Sequence, residues 1–176
     1  MRKLIAVLSA LTLYTGECAA QSWERVKPDG LGFEAEFPGK PELKESTGDD
    51  GGKIRTYVLL SQGSAYDVTV YDLQDGAVGP GDIDRVLDNM RDFSVHAVSA
   101  TPRTEARIEI SGQKARDLTA DVMGMVWRSR LTIANNKIYQ IVAIVSKAIE
   151  KSAETEKYIA SFKLTGSSTE PGKPAN

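Results

Sequence analysis

The chain has 176 residues, a formal net charge of −2, 41% hydrophobic residues and one cysteine. This length suits one domain of ordinary size, and the composition excludes wholesale disorder and a protein with several membrane spans. The slight excess of acidic over basic side chains argues against a nucleic-acid-binding protein, which normally carries a basic surface.

Residues 1–20 have the pattern of a secretory signal peptide. Arg2 and Lys3 form a short positive segment, and residues 4–13 are an apolar run that leads to small residues and a cleavage site after Ala20. The apolar run is about half as long as the roughly 20 residues that a membrane-spanning helix needs. We therefore expect an exported protein, periplasmic or extracellular, with no stable membrane span in the mature chain.

The single cysteine, Cys18, lies within this segment. A lipid anchor at Cys18 is disfavoured, because Glu17 stands where a lipoprotein signal has a small residue. Cleavage after Ala20 would leave 20 basic and 23 acidic side chains, a net charge of −3 and no cysteine. The sequence thus excludes thiol chemistry, iron–sulfur ligation and cysteine-bound zinc in the mature protein, and its stability must come from core packing.

Glycine and proline divide the rest of the chain. Residues 39–52 and 74–81 are rich in both and are predicted as loops or turns. Residues 165–176 lack apolar side chains and are predicted as a flexible C-terminal tail. We therefore expect a single globular domain over residues 21–164.

Hydrophobic periodicity predicts the elements in chain order. Residues 33–37 alternate between apolar and acidic side chains, which is typical of a strand, and residues 53–60 and 65–72 are close enough to form a hairpin. A helix capped by Asp82 follows, with one apolar stripe formed by Ile83, Val86, Leu87, Met90 and Phe93. Three or four strands are predicted between about 98 and 146. A second helix is predicted from about Ser152, with Glu154 and Glu156 in its first turn and Phe162 and Leu164 after its end.

Two short turns predict the strand register between residues 114 and 146. If Met123 and Gly124 form a two-residue loop, the opposed pairs are Asp117 with Arg130, Leu118 with Ser129, Thr119 with Arg128, and Ala120 with Trp127. Met-Gly is not an ideal turn sequence, so a bulged loop remains open. A turn at Asn135 and Asn136 would set Ile133 beside Ile138 and Trp127 beside Ile144.

The strand predicted over residues 138–145 is apolar on both faces, which indicates that both faces are covered. We therefore expect an α+β fold, with an antiparallel sheet and a helix packed on each face.

The order of four segments resembles the PsbP-like superfamily, named for an extrinsic protein of photosystem II and shared by an import factor that binds the GTPase Ran. The segments are FEAEFPGKP (33–41), the tyrosine-rich hairpin (57–71), LTIANNKIYQIV (131–142) and KYIASFKL (157–164). Many small exported bacterial proteins of unassigned function are similar. The resemblance implies an α/β/α sandwich with a binding or assembly role. It supplies no catalytic residues, and it does not imply a photosystem or Ran as partner.

Motifs of common catalytic sites are absent. His96 is the only histidine, which excludes a histidine-rich metal site, and no serine lies in a G-x-S-x-G elbow. H-E-x-x-H, C-x-x-C, P-loop and G-x-G-x-x-G motifs are also missing. We expect His96 to be a surface or capping residue at the end of the first helix.

Two pairs of carboxylates are each predicted to share one face of a strand: Glu34 with Glu36, and Asp117 with Asp121. A glycosidase needs two carboxylates held at a set distance, so these pairs are candidates for that chemistry. We favour a structural role for them, since Asp117 already has a partner in Arg130. The acidic turn at Asp49 and Asp50 and the pair Asp82 and Asp84 could ligate calcium, but neither has the ligand count of an EF-hand loop.

Arginines and tyrosines supply the remaining candidates for a binding surface. Arg116, Arg128 and Arg130, with Arg103 and Arg107 as additional members, could gather into an anion-binding patch, although ion pairing at the margin of the sheet is the favoured interpretation. The candidate interface aromatics are Tyr57, Tyr66 and Tyr71, followed by Tyr139.

We therefore predict an exported, non-enzymatic interaction or accessory module of the cell envelope, with no cofactor. The alternative is a carrier that holds a lipid, sugar or anion in a pocket between sheet and helix. An interaction module should expose an apolar patch and lack a deep pocket, whereas a carrier should have a pocket of roughly 300 Å³ or more with a few polar groups. An unrecognised hydrolase is the third possibility.

Overall fold

The computed structural model describes residues 22–166, apart from the side chain of Pro80. The predicted signal peptide with Cys18, and residues 167–176 of the predicted tail, lie outside these residues. The strands are β1 (Glu24–Val26), β2 (Phe33–Phe37), β3 (Glu42–Thr47), β4 (Lys53–Ser61), β5 (Ser64–Asp72), β6 (Thr101–Ile110), β7 (Gln113–Val122), β8 (Met125–Ala134), β9 (Lys137–Val145) and β10 (Lys163–Leu164). The helices are α1 (Ile83–Ala97) and α2 (Ala153–Ser161), each preceded by a 3-10 turn.

The strands form two antiparallel sheets, so the chain is a mixed α and β protein as predicted. The larger sheet has seven strands in the order β3-β4-β5-β9-β8-β7-β6, and the smaller has three in the order β1-β2-β10. Among residues 22–166, neither helix is long and apolar enough to cross a bilayer.

The register predicted between residues 114 and 146 is confirmed. Asp117 lies opposite Arg130 and Ala120 opposite Trp127, as a two-residue loop at Met123 and Gly124 requires. Both loop residues have positive φ, at 49° and 80°, so the loop is not bulged. The second turn likewise sets Ile133 beside Ile138 and Trp127 beside Ile144.

One stretch predicted as a loop contains a strand. Residues 39–52 include β3, which pairs with β4 from Glu42 opposite Val58 to Thr47 opposite Lys53. All six residues of β3 are exposed, because it is the edge strand of the larger sheet. An exposed edge strand needs no apolar face, so the polar sequence of β3 has the pattern that is typical of a loop.

The two helices begin differently. Ser152 caps α2 as predicted, since its hydroxyl accepts a hydrogen bond from the Thr155 amide at 3.2 Å. Asp82 occupies the N-cap position of α1 as predicted, but its side chain makes no cap hydrogen bond and pairs with Arg85 at 2.9 Å. The 3-10 turn that leads into α1 holds Asp82 in a helical conformation, whereas a capping residue normally has an extended one.

Strand β9 contributes side chains to three clusters of buried residues, and its Val142 packs in one of them with Leu118 and Trp127. Its residues Tyr139, Ile141, Ala143 and Val145 belong to one cluster with β2, β5 and α2, whose members include Phe33, Phe37, Tyr66, Tyr158 and Phe162. Its residue Ile138 belongs to another cluster with Leu87 of α1 and with Leu131 and Ile133 of β8. Both sets of β9 side chains are therefore largely buried, as its uninterrupted apolar sequence indicated.

Candidate functional site

An apolar cleft of about 650 Å³ lies between α1 and the larger sheet. Helix α1 packs on β7 and β8, so the side of the helix that faces β4, β5 and β9 borders the cleft. The side chains that line the cleft from the helix and the sheet are Val86, Met90, Phe93, Ile54, Thr69, Tyr71 and Ile138. Phe93 stands at its rim with 69% of its surface exposed. Such a large exposed apolar side chain marks a candidate contact surface.

The loop between β5 and α1 forms another wall of the cleft, through Leu73, Ala77 and Val78. Hydrogen bonds hold this loop in place. The Leu73 amide donates to the Asn136 carbonyl at 2.8 Å, and the Gln74 side chain donates to the Asp50 carbonyl at 2.9 Å. This wall is thus attached to two neighbouring turns of the sheet.

One end of the cleft is acidic and is formed by the turn between β3 and β4. The turn places Gly48, Asp49 and Asp50 on the cleft wall. It is closed by a hydrogen bond from the Gly52 amide to Asp50 Oδ1 at 3.0 Å. The Tyr71 hydroxyl also donates to Asp50, which lowers the pKa of the carboxyl and raises the pKa of the phenol. Asp50 is therefore held as a carboxylate.

Glycine is required at position 52 because Tyr71 lies against the backbone there. A Cβ atom at Gly52 would come within 2.6 Å of the Asp72 carbonyl oxygen and within 2.7 Å of the Tyr71 ring. The glycine-rich turn thus allows the tyrosine ring to pack against it and to present its hydroxyl to Asp50.

A second polar group lies further along the same face of β5. Thr69 lines the cleft, and Asp67 precedes it by two residues, so the two side chains point to the same face of the strand. Thr69 Oγ1 donates to Asp67 Oδ1 at 3.4 Å, and the Thr56 and Thr69 hydroxyls are 3.0 Å apart. Burial raises the pKa of Asp67 to about 7.

The three arginines proposed as an anion-binding patch have acidic partners. Arg116 is only 1% exposed and binds Asp84 and Asp88 of α1 at 2.9 and 2.8 Å. Arg128 pairs with Glu156 of α2. Arg130 pairs with Asp117 at 2.7 Å, as the register predicted, and donates to the Ile159 carbonyl at 3.1 Å. Arg116 therefore attaches α1 to β7, whereas Arg128 and Arg130 attach α2 to β8.

The tyrosines lie in different surroundings. Tyr57 packs edge-on against Phe33 in the core, with ring centroids 5.8 Å apart. Tyr66 is fully buried, and its hydroxyl donates to Glu154 of α2 at 2.8 Å. Tyr139 is also buried. Of the tyrosines singled out from the sequence, Tyr71 is the one that borders the cleft.

The residues considered for catalysis and metal binding are spread over the molecule. Within residues 22–166, no group of three or more histidine, cysteine, aspartate or glutamate side chains is arranged to hold a metal ion. Glu34 pairs with Arg25 at 2.6 Å, and Glu36 pairs with Lys157 at 3.1 Å. His96 is exposed in the last turn of α1.

The apolar stripe predicted on the first helix lies on α1, and part of it lines the cleft. Val86 and Met90 are partly buried at the cleft, while Leu87 is fully buried against the sheet. The signal in the sequence was the stripe itself, which extends from Ile83 to Phe93. The contribution of Ile54 and Val78 to the cleft could not be predicted from the helix stripe, because both residues reach the cleft from other parts of the chain.

Comparisons with known proteins identify the fold of the chain. No protein-family model matches the chain, and no curated protein matches it. A solution structure of cyanobacterial PsbP (CyanoP) from Synechocystis sp. PCC 6803 matches with a TM-score of 0.59 and 13% identity, over 85% of this chain and 96% of that one. A crystal structure of PA94, a protein of unknown function from Pseudomonas aeruginosa, matches with a TM-score of 0.45 and 12% identity, over 87% and 99% of the two chains. The chain therefore has a PsbP-like fold, as the order of its sequence segments indicated.

Proposed function

We propose that this protein is an exported, non-enzymatic binding protein of the cell envelope whose ligand occupies the apolar cleft. The cleft is the observation that carries the proposal, because its volume of about 650 Å³ is in the range of small-molecule sites. Apolar walls with a few polar groups at one end are also typical of such sites. The sequence favoured an interaction module and left a carrier as the alternative. The volume and lining of the cleft support the carrier over the interaction module.

The lining of the cleft favours a lipid-like ligand over a sugar or an anion. A sugar would need many hydrogen-bonding groups, whereas the walls are formed mainly by aliphatic side chains such as Ile54, Val86 and Met90. An anion would meet the carboxylates of Asp49 and Asp50 at the acidic end.

A non-enzymatic role is supported by the surroundings of the acidic residues. The carboxylates of Glu34, Glu36 and Asp117 each form an ion pair with a basic side chain. Such pairing serves structure and leaves these groups poorly suited to acid–base catalysis.

A helix on each face of the larger sheet is part of the proposal. Its support is the alternation along β9, where Tyr139 and Ile141 cluster with residues of α2 while Ile138 clusters with residues of α1. Successive side chains of a strand point to opposite faces. In this arrangement the cleft is the pocket between sheet and helix that a carrier requires.

Binding of an uncharged apolar fluorescent probe, N-phenyl-1-naphthylamine, tests the proposal. The variant Ala77→Trp would fill the cleft from its loop wall, where Ala77 is exposed and outside the core. We expect saturable binding to the wild type and binding roughly tenfold weaker or worse to Ala77→Trp, because the probe and the indole ring compete for the same space.

Ala106→Trp is the matched control, since Ala106 is also exposed but lies on β6, away from the cleft. It should bind the probe like the wild type, and all three proteins should have similar melting temperatures. The proposal would be overturned if the wild type bound no probe, or if Ala77→Trp bound it as well as the control.

The interaction module is the second candidate, and exposed apolar side chains favour it. Met123, at the tip of the β7–β8 loop, is 96% exposed, and Leu60 of β4 is 74% exposed. Mild crosslinking in the host's own envelope tests this candidate. A protein partner recovered with the wild type but lost with Met123→Ser, from a protein that binds no apolar probe, would replace the carrier proposal.

A further inference from the structure

We propose that the cleft selects a cationic amphiphile, a molecule with an apolar body and a protonated amine or quaternary ammonium group at one end. This inference rests on the proposed function, since it names the class of ligand that the same cleft would take. It is carried by charge complementarity, because the apolar walls meet two carboxylates at one end of the cleft.

The charges on the cleft wall have one sign. Among the described residues that line the cleft, Asp49 and Asp50 are the carboxylic acids, and lysine, arginine and histidine are absent. Asp50 accepts hydrogen bonds from the Tyr71 hydroxyl and the Gly52 amide, which keep it negatively charged. A bound cation would therefore meet carboxylates, while a bound anion would be repelled.

Two basic side chains near this end of the sheet, Arg55 and Lys137, are paired with acids. Arg55 binds Asp72 at 2.9 Å, and Lys137 binds the same carboxylate at 3.0 Å. Arg55 also lies 3.4 Å from Glu45. These pairs oppose compensation of Asp49 and Asp50 by Arg55 and Lys137.

The polar and apolar parts of the cleft are separated in space, which suits an amphiphile. Val86, Met90 and Phe93 line it from α1, whereas Asp49 and Asp50 lie in the turn between β3 and β4. An apolar body of the ligand would lie along the helix and bury hydrophobic surface. Its charged head would reach the turn, where Asp49 and Asp50 are exposed to water, so the head group would keep part of its hydration.

Displacement of N-phenyl-1-naphthylamine by three compounds with the same chain tests the inference. The compounds are decyltrimethylammonium, decyl glucoside and decanoate, each used below its micelle concentration. With the wild type, we expect the cation to displace the probe at roughly tenfold lower concentration than the neutral compound, and the anion to be the weakest. The preference should shrink when salt is added, because the carboxylates are exposed.

The double variant Asp49→Asn/Asp50→Asn removes both charges and keeps side-chain oxygens for the turn. We expect it to bind the neutral compound like the wild type and to lose most of the preference for the cation. Its control, Glu24→Gln/Glu109→Gln, removes two exposed acidic charges that do not line the cleft and should keep the preference.

Each other outcome identifies which proposal fails. Equal displacement by the three compounds, or a preference for the anion, would overturn the cationic ligand and leave an apolar carrier in place. A preference for the cation that persists in Asp49→Asn/Asp50→Asn would overturn the role of the acidic turn. Absence of probe binding to the wild type would overturn the carrier function and the inference together.

Discussion

A partly buried carboxylate, Asp67, links the stability of the protein to pH. Burial raises the pKa of the Asp67 carboxyl from 3.8 to about 7. The folded protein therefore keeps the carboxyl proton over a pH range in which the unfolded chain has released it. The native state then binds more protons than the unfolded state between about pH 4 and pH 7, and Asp67 lowers stability progressively as the pH rises through that range.

The variant Asp67→Asn should remove this dependence, because an amide has the same shape and does not titrate. We expect it to match the wild type near pH 4 and to be more stable at pH 8 by roughly 1 to 3 kcal/mol. Urea denaturation at several pH values measures the difference. The exposed Asp29→Asn serves as control and should show a flat difference profile. A wild type more stable than Asp67→Asn at pH 8 would contradict the prediction.

Arg116 shows how one residue sets the position of the cleft. Its guanidinium group is almost fully buried between β7 and α1, where it binds Asp84 and Asp88 on successive turns of the helix. The hydrogen bond from Lys114 and the one from Arg116 lower the pKa of Asp84 to about 2. Because these bonds join α1 to β7, the opposite side of the helix is the side that borders the cleft.

At the level of elements, the two helices are held at their N-termini in different ways. The Ser152 side chain caps α2. The Asp82 side chain instead forms an ion pair with the side chain of Arg85 and no hydrogen bond to a backbone amide of α1. Helix α1 is instead anchored through Leu87, which is fully buried, and through Arg116. Helix α1 therefore depends on its contacts with the sheet, and α2 depends in addition on its own first turn.

This difference predicts unequal effects of two similar substitutions. Ser152→Ala should lower the free energy of unfolding by about 1 kcal/mol, since it removes the acceptor of the Thr155 amide. Asp82→Ala should change it by less than about 0.5 kcal/mol, because it removes only an exposed ion pair. Urea denaturation of both variants measures the two values. Equal costs would show that Asp82 acts as a cap after all.

In the whole molecule, protection from solvent decreases from the centre of the larger sheet to its edges. Strand β9 is paired with β5 on one side and β8 on the other, and most of its side chains are buried. Strand β3 is paired only with β4, and all of its side chains are exposed. Opening of β9 thus requires disruption of the core, whereas β3 can separate alone.

Amide hydrogen exchange followed by mass spectrometry should reveal this gradient. We expect amides of β9 to exchange at least about 100-fold more slowly than those of β3. Addition of N-phenyl-1-naphthylamine should slow exchange in residues 73–79 and in α1, because both line the cleft. Edge and central strands that exchange at the same rate would contradict the prediction for the sheet, and no change on probe addition would contradict the location of the site.

The local sequence was sufficient to predict the elements and much of their pairing. The turns at Met123–Gly124 and Asn135–Asn136 set the register, because a strand alternates between two faces and a slip of one residue would expose its apolar side chains. The apolar strand that became β9 indicated burial on both sides. The order of four aromatic and glycine-containing segments was sufficient to identify the PsbP-like fold. Export remains a prediction from residues 1–20.

Tertiary structure alone decided where the candidate site lies. Strand β3 forms only through pairing with β4, so its polar sequence carries no local sign of a strand. The cleft is built by Ile54, Val78 and Phe93, which are distant in the chain and meet because Arg116 and Leu87 fix α1 over one part of the sheet. Hydrophobic periodicity shows which face of a helix avoids water, but the position of the helix on the sheet decides how much of that face remains open.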